Sequence, residues 1–81
     1  MENLVYIIGT DDTTVIGERV GFSNNIVVRN PIYYNEILRR YQYCDEKFGK
    51  EKEVFFPLAS VKRYGSVSNK EIIETYQSFS G

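Results

Sequence analysis

Apolar residues occur in short runs separated by polar turn residues, and this pattern predicts a chain built mainly of β-strands. Residues 3–9 form a compact apolar run that ends at a polar turn carrying Asp11 and Asp12. We therefore predict a first strand that is buried on at least one face. Residues 14–22 predict a second strand with alternating faces. Its more apolar face carries Ile16, Val20 and Phe22, and Glu18 is the one charged residue on that face.

The densest strand-forming sequence lies at residues 13–34, around a turn cluster at residues 21–25. β-Branched and aromatic residues flank the Gly, Ser and Asn of this cluster, which predicts a hairpin. Gly17 and Gly21 lie in its first strand, where the missing Cβ permits a bulge, a sharp bend or close backbone approach. Such bends let a small sheet curl into a barrel. Pro31 lacks the ladder donor and predicts either an edge position or a break between two pieces of strand.

Residues 36–44 fit two structures. Their alternation gives a strand with one aromatic and aliphatic face, whereas a helix would also tolerate Glu, Leu and Arg here. We favour the strand because Tyr41-Gln42-Tyr43 is typical of one and strand-like pieces lie on both sides. The polar residues 45–53 predict the tip of an exposed hairpin. Apolar runs then predict strand pieces at residues 54–56 and 59–65, separated by Pro57.

Residues 68–79 predict a short helix. Ser68 fits its N-cap, and Glu71 three residues later completes a capping box. Apolar residues recur at spacings of three and four, which predicts a helix that lies across an open face of the sheet. These residues are Ile72, Ile73, Tyr76 and Phe79. The chain is therefore predicted to be one domain over residues 1–81, with strands in residues 1–66 and a helix at about 69–79.

Length and composition limit the class of protein. A chain of 81 residues buries only roughly 60–65% of its unfolded surface, so we expect thin stability and an oligomer partner. Seven Tyr and five Phe suit a sheet with amphipathic exposed faces. The single cysteine, Cys44, excludes an internal disulfide and predicts a reduced thiol in a cytoplasmic protein. No segment has the ~20 apolar residues of a membrane span, and the N-terminal apolar run lacks the length and basic flank of a signal peptide.

Candidate chemistry is sparse, which argues against an enzyme. Histidine is absent, so the commonest general base and metal ligand is missing, and Cys44 has no imidazole to activate it. Adjacent side chains in an extended segment point in opposite directions, so a solvated turn explains Asp11 and Asp12 better than a metal site does. A carboxylate pair such as Glu51 and Glu53 lacks the apolar surroundings that would shift its pKa. We therefore expect no catalysis, no metal and no cofactor.

Charge restricts how the protein could bind nucleic acid. Ten basic and eleven acidic residues give a net charge of -1, so attraction to phosphate needs a local patch. Acidic residues are in excess in residues 1–20 and basic residues in residues 21–44. Ordinary scatter of solvated side chains also explains so small a difference.

Two stretches of the chain resemble a known family. Val15-Ile16-Gly17-Glu18, followed by residues 21–28 and Asn30-Pro31, resembles the first Sm motif, in which a glycine-bent strand leads through an Asn-bearing turn into a β-branched strand. Residues 57–65 lie where the second Sm motif places an Arg-Gly pair before the last strand. The chain thus resembles a divergent Sm-like (LSm) protein, and especially the compact Sm-like proteins of phages, which tend to end in a short helix.

The resemblance implies a fold, an assembly and a function. The expected fold is mainly β: a small, strongly bent five-stranded Sm-like or SH3-like barrel with a short C-terminal helix. In the family, edge strands pair with neighbouring subunits and close a ring, which leaves no edge strand unpaired. The expected function is single-stranded RNA binding by a homo-oligomeric ring in the cytoplasm, that of the host if a phage encodes the protein. A ring-forming interaction module without nucleic-acid binding is the alternative.

The resemblance also implies a binding site. Asn24 or Asn25 would hydrogen-bond a base edge, Phe22 would stack on a base, and Arg63 with Lys62 would meet phosphate or brace the turn. Each residue also has a structural explanation. The two asparagines suit a hairpin because Asn tolerates positive φ, and Phe22 suits the core. Lys62 and Arg63 are adjacent on a predicted strand and face opposite ways, so one of them suits a solvated or interface position.

Overall fold

A computed structural model describes residues 3–43 and 53–80 of the chain. Within these residues the predominance of β-structure and the C-terminal helix are confirmed. The described part has six strands, one more than the sequence predicts. In chain order the elements are β1 (Leu4–Gly9), β2 (Thr14–Phe22), β3 (Asn25–Asn35), β4 (Arg40–Tyr43), β5 (Glu53–Pro57), a 3₁₀-helix (Leu58–Ser60), β6 (Val61–Ser66) and α1 (Lys70–Ser80).

The six strands form one antiparallel sheet that has five strand positions. Its order is β4-β3-β2-β1-β6, and β5 also pairs with β3. Because β2 pairs with one edge of β3 along its length, β4 and β5 share the other edge. Residues 32–35 of β3 pair with β4, and residues 25–29 pair with β5. The position beside β3 at this end of the sheet is therefore shared by β4 and β5, which follow one another along the edge of β3.

The connection between the last two strands forces this sheet to curl. β5 and β6 lie at opposite ends of the strand order, which in a flat sheet would separate them by roughly 19 Å. Only the three residues of the 3₁₀-helix join them, and such a helix advances only ~2 Å per residue. The overall dimensions are accordingly near-equal, 30 × 27 × 26 Å. No ladder pairs β5 with β6 in the described residues, so the sheet is strongly bent but not closed.

Two irregularities in the pairing of β2 with β3 bend the hairpin. The register shifts at Gly17, where two residues of β3 oppose one, and again at Val20. Gly17 approaches β3 so closely that a Cβ at this position would lie 3.1 Å from Cβ of Val28. A bulge and a close approach, two of the alternatives predicted for the glycines, are therefore confirmed at Gly17. β3 continues through Pro31, but its outer partner changes there from β5 to β4, so the predicted break is a break in pairing.

The two faces of the sheet carry separate apolar clusters. The inner face of the curl holds buried Ile7, Val15, Ile26 and Val28, with Val61 and other side chains packed around them. On the outer face, Tyr76 of α1 forms a second buried cluster with Leu4, Ile16 and Ile32 of the sheet. The predicted stripe of Ile72, Ile73, Tyr76 and Phe79 makes this contact. Among the described residues, no helix has the length and hydropathy needed to cross a membrane.

The N-cap of α1 differs from the prediction. The amides of Glu71 and Ile72 donate to Oδ1 of Asn69, at 2.9 and 3.3 Å. The helix begins at Lys70, so Asn69 and not Ser68 holds the capping position. Both residue types cap helices well, and the sequence alone does not separate two neighbours of this kind.

The strand predicted over residues 36–44 is shorter than expected. It begins at Arg40, and residues 36–39 form a turn. Oδ1 of Asn35 accepts hydrogen bonds from the amides of Ile37 and Leu38, both at 3.0 Å, and this local bond competes with strand pairing. Arg39 completes the turn with φ of 55°. The sequence predicts the hairpin tip over residues 45–53. Cys44 and residues 45–52 lie outside the described residues, and Glu53 belongs to β5.

The buried phenol of Tyr76 predicts a loss of stability at high pH. Burial raises the pKa of Tyr76 to about 12, against about 10 for an exposed tyrosine. The folded state therefore binds the phenol proton more tightly than the unfolded state does. The stability that this proton contributes is fully present below about pH 10 and is lost as pH rises through about 12. We expect the free energy of unfolding to fall more steeply over this range in the wild type than in Tyr76→Phe. Urea denaturation at about pH 9, 10 and 11 measures the difference, and equal slopes would contradict it.

Candidate aromatic binding site

Two half-exposed aromatic rings meet at one end of the curled sheet. The tip of the β2–β3 hairpin extends past the start of β1, and the bulges fold it towards β6. The ring centroids of Phe22 and Tyr64 consequently lie 5.6 Å apart, at an interplanar angle of 47°. The guanidinium carbon of Arg19 lies 6.0 Å from the centroid of Phe22, a distance typical of a cation–π contact. We call Arg19, Phe22 and Tyr64 the aromatic mouth.

The aromatic mouth opens into a cavity of about 160 Å³. Val5 and Ile26 line it with apolar atoms, and Asn3 and Ser66 add polar groups. The exposed fraction is 45% for Phe22 and 50% for Tyr64. Phe22 is therefore not a core residue, and both rings are accessible from solvent. A cavity with an aromatic wall, polar side chains and an arginine suits a flat, partly polar ligand.

An irregularity in β6 directs Tyr64 into this cavity. Val61 pairs with Gly9 and Arg63 pairs with Ile8, so Lys62 is an extra residue in the ladder. Tyr64 then lies opposite Ile7, which belongs to the inner cluster. Because cross-strand neighbours share a face and successive residues alternate, Tyr64 is on the inner face and Arg63 is on the outer one.

The structure brings only one of the five predicted site residues to the cavity. Phe22 lines it, whereas Arg63 is exposed on the opposite face of β6. Lys62 forms an ion pair with Asp12, 2.8 Å from Nζ to Oδ1, at the far end of the sheet. This pair is solvent-exposed and contributes little to stability.

Asn24 and Asn25 belong to the hairpin tip that follows Phe22. The carbonyl of Asn24 accepts a hydrogen bond from the amide of Leu58 at 3.3 Å, and that of Asn25 accepts one from Ser23 at 3.1 Å. The tip is thus attached to the 3₁₀-helix through its backbone. Among the described non-glycine residues, positive φ occurs only at Asp12, Asn30 and Arg39. Neither Asn24 nor Asn25 therefore uses the left-handed conformation. Asn30, at the bulge in β3, does.

The acidic turn between β1 and β2 has its own internal hydrogen bonds. The amide of Thr13 donates to Oδ1 of Asp11 at 3.0 Å, and this bond lowers the pKa of Asp11. No group of three or more potential acidic, Cys or His ligands lies close enough to hold a metal within residues 3–43 and 53–80. Arg29, one of the basic residues in the segment 21–44, has acidic partners: its Nη1 lies 3.4 Å from Oε1 of Glu18, and its Nη2 lies 3.6 Å from Oε2 of Glu53.

Comparison with protein-family models and with curated proteins gives no relative from which to transfer a function. The chain matches no protein-family model, and no curated protein matches it at a significant level. The geometry of the aromatic mouth is therefore the basis for a functional proposal.

Proposed function

We propose that the protein is a small self-associating domain of the kind that Sm-like proteins represent, and that its aromatic mouth binds bases of single-stranded RNA. The observation that supports this most directly is the exposed Phe22–Tyr64 pair with Arg19 beside it. Single-stranded RNA is bound by stacking unpaired bases on aromatic rings and guanidinium planes and by hydrogen bonds to base edges. In this proposal, Tyr64 and Arg19 have the base-binding roles that the family resemblance assigns to Arg63, Asn24 and Asn25.

The size and polar groups of the cavity favour a single pyrimidine. An apolar cavity of roughly 150 Å³ is known to take benzene, a six-membered ring, and the mouth opens into about 160 Å³. A purine has a second ring and would extend further into solvent. The guanidinium of Arg19 offers donors only, which suits the carbonyl oxygens of uracil. Oligouridylate is therefore the preferred test ligand.

The open edges of the sheet support self-association. Within the described residues β5 pairs only with β3, and β6 pairs only with β1, which leaves one edge of each strand without a ladder partner. Phe55 on β5 is 60% exposed. Edge strands with exposed apolar residues favour pairing with another chain. Repetition of the aromatic mouth in an oligomer would join several weak base contacts along one RNA strand.

A protein-interaction module without RNA binding is the second candidate. Large apolar side chains are exposed away from the mouth, at Ile37, Leu38 and Phe55. Patches of this kind commonly mark contacts between proteins. This candidate shares the self-association and lacks the base contact, so an RNA titration separates the two.

Phe22→Ala is expected to weaken oligouridylate binding by ~5- to 150-fold. Loss of one stacked base corresponds to ~1–3 kcal/mol, and each ~1.4 kcal/mol is tenfold in affinity. Fluorescence anisotropy with labelled oligouridylate measures the change, and binding should weaken as salt is raised. Val20→Ala is the control in the same strand, because Val20 is also an exposed apolar residue but does not line the cavity.

Three results would count against this assignment or against RNA binding itself. Equal loss in Phe22→Ala and Val20→Ala would show that the mouth is not the base site. Loss confined to the pair Asn25→Ala and Arg63→Ala would return the site to the positions that the family resemblance implies. If the wild type binds neither oligouridylate nor oligoadenylate at low salt, the interaction module is the better account.

A further inference from the structure

A second cavity opens at the other end of the inner face of the curled sheet. Its volume is about 380 Å³, which lies within the range of small-ligand sites. Its apolar wall consists of Ile7, Val15 and Phe56, which pack together in the inner cluster. Residues with hydroxyl groups also line it, and these are Thr10, Thr13 and Ser60. We call this space the far cavity.

The far cavity and the aromatic mouth lie at opposite ends of β1. Asn3, just before this strand, lines the mouth, whereas Gly9, the last residue of the strand, lines the far cavity. The six residues of β1 span about 20 Å between these ends. A small ligand in one of the two cavities therefore does not reach the other.

One charged side chain lines each cavity, and the two charges are opposite. Asp11 lines the far cavity, and Arg19 lines the mouth. Asp12 does not line the far cavity, and its charge is compensated by Lys62 at 2.8 Å. None of the ion pairs among the described residues includes Asp11. The carboxylate of Asp11 is therefore available to a cation in the far cavity.

The carboxylate of Asp11 is held against the wall of the far cavity. A Cβ at Gly9 would lie 2.8 Å from its Oδ1, so the carboxylate occupies the space that a side chain at Gly9 would need. The amide of Thr13 donates to the same oxygen at 3.0 Å, and hydrogen bonding from Thr13 lowers the pKa of Asp11. The group is therefore ionised at neutral pH, and a carboxylate has further lone pairs for other donors.

We propose that the far cavity binds a small organic cation, with its apolar part against the inner cluster and its ammonium group at the carboxylate of Asp11. An apolar cavity of roughly 150 Å³ takes benzene, so the far cavity has room for a ring and a short chain that carries the ammonium group. The charge of Arg19 disfavours the same ligand in the mouth. This site is separate from the proposed base binding, and it depends neither on RNA nor on self-association.

Three ligands with one phenyl ring and a short chain test the role of charge. Phenethylamine is a cation, phenethyl alcohol is neutral and hydrocinnamate is an anion at neutral pH. NMR of methyl signals locates each ligand, because Ile7 and Val15 line the far cavity and Ile26 lines the mouth. Phenethylamine should shift the signals of Ile7 and Val15 and bind ~2- to 5-fold more tightly than the alcohol, as expected for an exposed ion pair. Hydrocinnamate should bind there more weakly than the alcohol.

Two variants separate the carboxylate of Asp11 from the general charge of this end of the sheet. Asp11→Asn removes the charge and keeps an oxygen for the amide of Thr13, so it should abolish the preference for the amine. Glu36→Gln is the matched control, because Glu36 lines a neighbouring hollow but not the far cavity, and it should keep the preference. The methyl spectrum without ligand shows whether each variant is folded.

Three outcomes would overturn the proposal. The first is that phenethylamine leaves the Ile7 and Val15 signals unshifted, whether or not it shifts Ile26. The second is that the wild type binds the amine and the alcohol with equal affinity. The third is that Glu36→Gln loses the preference as completely as Asp11→Asn does.

Discussion

Tyr76→Ala is expected to lower the free energy of unfolding by ~3–5 kcal/mol, the range for truncation of a buried aromatic residue. Tyr76 is only 2% exposed, and its ring packs with Leu4, Ile16 and Ile32. Its hydroxyl also donates to the carbonyl of Arg29 at 2.9 Å, which links α1 to β3. Eleven residues are too few for a stable isolated helix in water, so α1 depends on this contact and should detach from the sheet in the variant.

Urea denaturation, followed by circular dichroism and linear extrapolation, measures this change. Tyr76→Phe keeps the ring and loses the hydrogen bond, so its cost should be only ~0.5–1.5 kcal/mol. Glu74→Ala is the matched control on the exposed face of α1, where its 4.0 Å pair with Lys70 is worth ~0.5 kcal/mol or less. A cost below about 1 kcal/mol for Tyr76→Ala would show that α1 does not cover the outer face of the sheet.

Gly17→Ala is expected to destabilise the protein by ~1–3 kcal/mol, because it adds a methyl group where two strands already touch. A Cβ at Gly17 would lie 3.1 Å from Cβ of Val28 and 3.4 Å from Cα of Pro31. Neither neighbour can rotate away, since one is a β-carbon and the other is backbone. The change must therefore push β2 and β3 apart at the bulge that bends the hairpin.

Gly21→Ala provides a control in the same strand. Its new Cβ would meet Val27 at 3.5 Å, an ordinary van der Waals distance. Since Gly weakens a strand interior, this substitution should be neutral or slightly stabilising. Denaturation of both variants under one set of conditions measures the difference. Equal costs at the two positions would mean that close approach at Gly17 does not set the bend.

Much of the fold follows from local signals in the sequence. The bounds of β2 agree with the prediction because polar turn residues flank a run of alternating apolar positions. The bulges lie at Gly17 and next to Gly21, and at Gly17 close strand approach requires a missing Cβ. The pattern misleads at Ile37 and Leu38, whose apolar character indicates a buried strand although both are exposed. The two hydrogen bonds that their amides donate to Oδ1 of Asn35 decide this conformation.

The candidate site is less accessible from sequence than the fold. The sequence predicts Phe22 as a site residue because it lies beside the turn, but it does not predict Arg19 or Tyr64. They reach Phe22 only because two irregularities bend β2 and a third, at Lys62, sets the face of β6. Pairing that depends on such shifts is a long-range property, since a change of one residue moves every following side chain to the other face. For the same reason Arg63, adjacent to Tyr64 in sequence, lies away from the mouth.

The central claim is that the aromatic mouth stacks a base, and NMR of the aromatic rings during an oligouridylate titration tests it directly. Ring signals of Phe22 and Tyr64 should shift together and saturate, while those of Phe55, on β5 outside the cavity lining, should stay unchanged. Unshifted Phe22 and Tyr64 signals at RNA concentrations that saturate binding would contradict the account.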